Sequence, residues 1–142
     1  MKIALGADHG GFELKNKIKH YLEQRNFEII DFGTNSMDSV DYPSFAKSVG
    51  NAVVNKEANF GILVCGTGIG ISIAANKISG VRCALCTNTT MARLTREHND
   101  ANIIAFGERI IGDALALEMV ETFLNTKFEG GRHCRRVSMI EC

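Results

Sequence analysis

Short apolar runs alternate along the chain with stretches in which apolar residues recur every three or four positions. Ile3-Ala4-Leu5-Gly6-Ala7 predicts a buried strand that ends at Asp8-His9-Gly10-Gly11. Leu14, Ile18, Tyr21 and Leu22 then fall on one helical face. Phe27 to Phe32 is a second strand, poorer in apolar residues and so nearer a sheet edge. The polar stretch Thr34 to Asp41 reads as a loop, and Pro43 suits the entry of a helix carrying Phe45, Val49, Ala52 and Val53. Ile62 to Val64 predicts a third strand, followed by a helix with Ile71, Ile73, Ala74, Ala75 and Ile78. Val81 to Cys86 predicts the fourth strand. Asn88-Thr89-Thr90 offers N-caps for a helix through Met91, Leu94 and Thr95 that closes at His98-Asn99-Asp100. Asn102 to Phe106 is the fifth strand, ending at Gly107-Glu108-Arg109. A helix from Gly112-Asp113 buries Leu117, Val120, Phe123 and Leu124. Phe128-Glu129-Gly130-Gly131 breaks that helix, and the basic stretch Arg132 to Val137 reads as a last short one.

Five strand–helix alternations with short loops predict an α/β fold whose parallel sheet is covered on both faces. With no repeat, linker or low-complexity tract, residues 1–142 read as one domain with a basic tail from about residue 130. Ligands of such folds sit beyond the carboxyl ends of the strands. The residues to read are therefore Asp8-His9, Cys65 to Gly70, and Arg109.

Composition narrows the function classes. Hydrophobic residues are 45% and charged residues 23%, as in ordinary globular domains. The formal net charge is zero, so no overall field favours nucleic acid or membrane, although basic residues gather near the C-terminus. No apolar run approaches the roughly 20 residues that span a bilayer. The N-terminus turns polar at Asp8-His9 and does not read as a secretion signal. Five cysteines at irregular spacing fit free thiols in a reducing cytoplasm.

The third strand delivers one thiol, Cys65, to its carboxyl end. Gly66, Gly68 and Gly70 then alternate with Thr67 and Ile69, so the backbone can turn sharply and approach a ligand. The first N–H groups of the next helix lack intrahelical partners and point into that turn. A thiol beside such donors is a place where negative charge can form and be held. An ordinary buried strand cysteine before a tight turn has the same local sequence.

Several chemistries are excluded. A dinucleotide fingerprint needs glycine at position 71, where the chain has Ile71, and no Walker lysine pattern is present. A thiol phosphatase loop needs an arginine at that same position. A phosphate-receiver domain needs an acid where Cys65 stands. Cys83 and Cys86 form a C-x-x-C, but residues three apart on a strand point to opposite faces and do not share a metal. Cys134 and Cys142 have no spacing that suggests a site.

Arg109, Arg132, Arg135 and Arg136 are candidate guanidinium clamps for a phosphate. Arg132 and Arg136 share a helical face, and Arg135 is a fair substitute. A solvated basic tail is the plain alternative. His9 beside Asp8 also suits a capping pair, and His98 suits the negative end of its helix. Together these groups suit proton abstraction next to a carbonyl of a small phosphorylated substrate, through an enediolate.

The pieces Gly6-Ala7-Asp8-His9-Gly10-Gly11, Asp41-Tyr42-Pro43, Cys65 to Ser72, Asn76-Lys77, Glu97 to Asn102, Ala105-Phe106-Gly107 and Gly130-Gly131-Arg132-His133 run end to end. On these the chain closely resembles the ribose-5-phosphate isomerase B family, part of the wider group that includes the galactose-6-phosphate isomerase subunits. The resemblance implies a three-layer Rossmann-like fold with a five-stranded parallel sheet, order 2-1-3-5-4. It implies interconversion of D-ribose 5-phosphate and D-ribulose 5-phosphate without metal or organic cofactor. A homodimer, sometimes paired into a tetramer, with the site shared between subunits, is also implied.

In that resemblance Cys65 is the base between C2 and C1, and His98 opens the furanose ring. Asp8 holds substrate hydroxyls and assists ring opening, and Thr67 moves or orients protons near O1 and O2. The N–H groups of Gly66, Thr67, Gly68, Ile69 and Gly70 hold the enediolate oxygen. His9, Arg109, Arg132 and Arg136 take the phosphate, with Asn99 and Tyr42 lining the sugar. A branch of the family has a glutamate base where this chain has Ile71, which sets the chain in the cysteine branch. A free thiol of pKa near 8.5 is mostly protonated at neutral pH, so the base role needs N–H groups or a cation nearby. An isomerase for allose or galactose 6-phosphate and a non-catalytic phosphosugar-binding module are the alternative readings.

Overall fold

The computed structural model describes residues 1–141; Cys142, for which the sequence suggests no role, lies outside the described residues. The elements run β1 (Lys2–Ala7), a single 3-10 turn (His9–Gly11), α1 (Phe12–Glu23), β2 (Glu28–Asp31), α2 (Tyr42–Val54), β3 (Phe60–Cys65) and α3 (Ile69–Ala75). They continue through β4 (Cys83–Leu85), α4 (Thr89–Asn99), β5 (Ile103–Gly107), α5 (Asp113–Asn125) and α6 (Arg132–Ile140). Five strands form one parallel sheet in the order β2-β1-β3-β5-β4.

Side-chain alternation along the strands divides the core into two layers. Ile3, Leu5 and Ala7 of β1 pack with Leu14, Ile18 and Leu22 of α1 and with Met119, Val120 and Phe123 of α5. Ala4, Leu63 and Ile103 face the other way, onto Ala46, Val49 and Val53 of α2 and Ile71 and Ala75 of α3. Strand order reverses between β1 and β3, so the crevice at their carboxyl ends is the expected ligand position.

Local chemistry marks the starts of two helices. Asn88 caps α4 by accepting from the Met91 N–H at 2.9 Å. Pro43 stands in the first turn of α2. β2 is an edge strand with no fully buried residue, as its sparse apolar content predicts.

The fourth strand is shorter than the run Val81 to Cys86 predicts. β4 keeps only three residues in its ladder, and Cys86 adds one further bond, its N–H donating to Ala105 O at 3.0 Å. Ile73, one of the apolar residues of the third helix pattern, is 57% exposed. α3 has seven residues and lays only the strip of Ile71 and Ala75 on the sheet; Ile73, two positions on, faces away. In α4 the buried positions are Ala92, Thr95 and Arg96, while Met91 is exposed and Leu94 half-buried. Arg96 is buried because its guanidinium donates to Ala101 O at 2.6 Å, Asp100 Oδ1 at 2.8 Å and Thr126 O at 3.3 Å, and lies over the Phe60 ring.

α6 leans on α4 and has no buried residue. Among the described residues no helix is long and apolar enough to cross a membrane.

Candidate active site

The carboxyl ends of β1, β3 and β5 are laced together. Glu108 N–H donates to Cys65 O at 2.9 Å and Arg109 N–H to Gly66 O at 3.0 Å. A Cβ placed on Gly10 would stand 3.0 Å from Gly66 N, so the turns after β1 and β3 meet backbone to backbone. Asp8, 8% exposed, accepts the Gly10 N–H through Oδ1 at 2.9 Å. His9 Nδ1 accepts the Val40 N–H at 3.1 Å, which leaves Nε2 as the nitrogen able to donate to an anion. The Arg109 guanidinium folds against Gly66, its Nη1 3.2 Å from where a Cβ would be.

Cys65 is 5% exposed, and its Sγ accepts the Gly68 N–H at 3.0 Å. Gly68 reaches that position with φ at +79°, a conformation that disfavours a side chain. Thr67 Oγ1 accepts the Ile69 N–H at 3.2 Å, which leaves its hydroxyl able to donate. Two of the five N–H groups expected to hold an oxyanion, those of Gly68 and Ile69, are thus turned onto Sγ and Oγ1. Tyr42, the first residue of α2, packs its ring on Gly70, where a Cβ would lie 2.5 Å from Cζ.

Not all the predicted residues gather here. α4 starts beyond the carboxyl end of β4 and runs back to the other end of the sheet. There Asn102 O accepts the Gly61 N–H at 3.0 Å, at the start of β3 and β5. The last residues of α4, His98 and Asn99, therefore lie about 16 Å from Cys65 along the strand direction, the rise of a six-residue strand. His98 stacks on His133 of α6 with ring centroids 4.4 Å apart and planes 16° apart. Glu129 Oε2 is 3.6 Å from His133 Nε2 and 4.0 Å from His98 Nε2. Arg136 shares a cavity of about 400 Å³ with His98, Asn99 and His133. Arg132 opens α6 and is exposed, and Arg135 is exposed outside that cavity.

Within one chain, then, Asp8, His9, Tyr42, Cys65 to Gly70 and Arg109 form one cluster, and His98, Asn99 and Arg136 belong to a second, with Arg132 exposed at the start of the same helix as Arg136. A larger cavity of about 560 Å³, lined by Asn76, Arg82, Thr95, Asn99 and Glu141, touches neither Cys65 nor His98.

Four residues of this second region escape sequence reading. Arg82 Nε donates to the carbonyls of Asn99 and Asp100 at 3.1 Å each, and Arg96 holds Asp100 and Ala101; together they fix the end of α4. Only the Arg96–Asp100 spacing of four residues hints at this. Glu129 and His133 lie beside His98 through the turn at Gly130 and Gly131, which no local pattern orients. Cys83 and Cys86 do face opposite layers of the core. Burial pushes both thiols up, Cys86 to about 11, so neither suits metal binding or nucleophilic chemistry.

Fold and site define a doubly covered parallel α/β protein with a thiol at the switch point of its sheet. The sequence profile of the Ribose/Galactose Isomerase family matches residues 3–140. The chain is 50% identical over 139 residues to ribose-5-phosphate isomerase B of Escherichia coli K12, covering 98% of this chain and 93% of that protein. The solved structure of Clostridium thermocellum ribose-5-phosphate isomerase B matches with a TM-score of 0.98 at 56% identity, covering 99% of this chain and 95% of that one. The corresponding Thermotoga maritima structure matches with a TM-score of 0.97 at 54% identity, covering 99% and 97%. The chain belongs to the ribose/galactose isomerase family.

Proposed function

We propose that this chain is an aldose–ketose isomerase that interconverts D-ribose 5-phosphate and D-ribulose 5-phosphate. The observation that carries the reading is Cys65 Sγ at the β1/β3 switch point, in hydrogen bond with the Gly68 N–H, in a chain matched end to end by ribose-5-phosphate isomerases B. An N–H dipole aimed at sulfur supports negative charge there.

The chemistry follows from these groups. His98 carries a proton between the ring oxygen and the anomeric hydroxyl, opening the furanose to the free aldehyde. The Cys65 thiolate removes the proton from C2, and the electron pair moves onto the carbonyl oxygen to give the enediolate. Thr67 and Asp8 move and orient protons between O1 and O2, and the thiol returns its proton to C1 to yield the ketose. Since Gly68 and Ile69 donate to Sγ and Oγ1, holding the enediolate oxygen falls to the N–H groups of Gly66, Thr67 and Gly70. His9, Arg109, Arg132 and Arg136 bind the phosphate, and Tyr42 and Asn99 line the sugar.

This reading requires two chains. The Cys65 cluster of one protomer meets the His98 cluster of its partner in a homodimer, which can pair further into a tetramer. The exposed apolar side chains Ile69, Ile73, Met139 and Ile140, on α3 and α6, support such an assembly. Free Cys65, Cys83, Cys86 and Cys134 support a reducing cytoplasm as its compartment.

Purified protein incubated in D2O with ribose 5-phosphate should form ribulose 5-phosphate and exchange substrate carbon-bound hydrogen, with both lost in Cys65→Ala. Binding without turnover would sink the enzyme reading. Faster turnover of allose or galactose 6-phosphate would move the substrate to a six-carbon phosphosugar.

A further inference from the structure

We propose that His98, Glu129 and His133 form a binding site for a zinc-class transition-metal ion, and that the ion inhibits turnover by occupying His98. The inhibition, though not the binding, rests on the ring-opening role given to His98 above.

The three donor atoms lie within 4.8 Å of one another. A tetrahedral zinc ion with bonds of about 2.0–2.1 Å sets its ligand atoms roughly 3.3 Å apart. Glu129 Oε2 already stands at 3.6 Å from one imidazole nitrogen and 4.0 Å from the other. Closing the set draws the widest pair in by up to about 1.5 Å and turns the two imidazoles out of their near-parallel stack, so that both in-plane lone pairs meet at one ion. Two imidazoles and one carboxylate are a donor set that zinc accepts, with a fourth position for water.

The backbone keeps these three residues side by side before any ion arrives. Glu129 N–H donates to Glu97 O at 3.1 Å, fastening the loop beside His98. His133 N–H donates to Gly130 O at 3.1 Å. Gly130 and Gly131, both at positive φ, make the turn that sets Glu129 back against α6. The end of α4 contributes its partial negative charge. Arg136 lines the same cavity and opposes a cation, and the Glu129 carboxylate offsets it. No step of the proposed isomerisation uses Glu129 or His133.

The test uses the full-length protein carrying Cys134→Ser, which removes an exposed thiol, after EDTA treatment. Equilibrium dialysis against zinc chloride should give one ion per chain, and Co2+ should broaden the NMR signals of His98 and His133 together. Zinc should lower turnover reversibly. Glu129→Ala should keep metal-free turnover while weakening both zinc binding and inhibition more than about tenfold, with Glu129→Asp restoring part of each. His133→Ala should weaken binding similarly. Zinc inhibition unchanged in both alanine variants, or no bound zinc, overturns the site. Zinc bound through these ligands with turnover unaffected upholds the site and overturns the inhibition, and with it the role of His98.

Discussion

Cys65 closes β3 at the carboxyl end of the sheet, and His98 stands in the last turn of α4 at the amino end, so the length of a strand separates them within one chain. If one reaction uses both, two protomers must supply them. In a two-fold dimer each chain then gives its thiol to one site and its imidazole to the other. Mixing Cys65→Ala and His98→Asn chains, each inactive alone, through unfolding and refolding should restore about a quarter of wild-type activity, since half the dimers are mixed and each has one intact site. A mixture that stays inactive, with mixed dimers verified by native mass spectrometry, contradicts the shared site.

Cys65→Ser keeps an oxygen in place of sulfur but loses the acidity that a base at neutral pH requires. Turnover should fall by about 10²–10⁴-fold with KM little changed. Steady-state kinetics checks this, and an unchanged kcat removes Cys65 from the mechanism.

Arg132→Ala should do the reverse, raising KM for the phosphosugar with a smaller effect on kcat, because it removes binding remote from the reacting carbons. Inorganic phosphate should lose inhibitory strength in parallel. A kcat loss at constant KM contradicts a phosphate role.

Gly68 holds φ at +79°, and a Cβ there would stand 2.6 Å from Leu85 Cδ1 and 2.7 Å from the Phe106 carbonyl carbon. Gly68→Ala should therefore destabilise the fold by about 2 kcal/mol or more. Displacing the N–H donor from Cys65 Sγ should lower turnover as well. Denaturant unfolding and kcat at low temperature report the two effects separately.

Lys15, buried in the core layer of α1, donates to Asp31 Oδ1 and to Thr34 O, both at 2.8 Å. Burial alone pushes the Asp31 carboxyl up. Hydrogen bonds from Lys15, Gly33 N–H and Lys19 outweigh it and hold the group below its ordinary 3.8. A carboxylate depressed in the folded state contributes stability that is present above its unfolded pKa, about 4, and lost as pH falls through the folded one. Asp31→Asn should flatten this part of the acid limb of a stability–pH curve. At pH 7 it should destabilise by roughly 3–5 kcal/mol, because the buried Lys15 ammonium loses its carboxylate counter-charge and keeps only neutral acceptors such as Thr34 O. An unaltered acid limb contradicts the assignment.

The amino-acid sequence by itself determined the alternation of strands and helices, the edge position of β2, the Asn88 cap and the thiol at the end of β3. Each of these rests on side-chain periodicity or on contacts within a few residues, which a linear pattern records. It did not reveal the burial of Arg96, the outward face of Ile73, or the stacking of His133 on His98 with Glu129 beside them. Those depend on where α4, α6 and the Gly130-Gly131 turn lie in space. Only the tertiary structure decided that the predicted site residues fall into two clusters at opposite ends of the sheet, because a helix that leaves one strand end must return its last residues to the other.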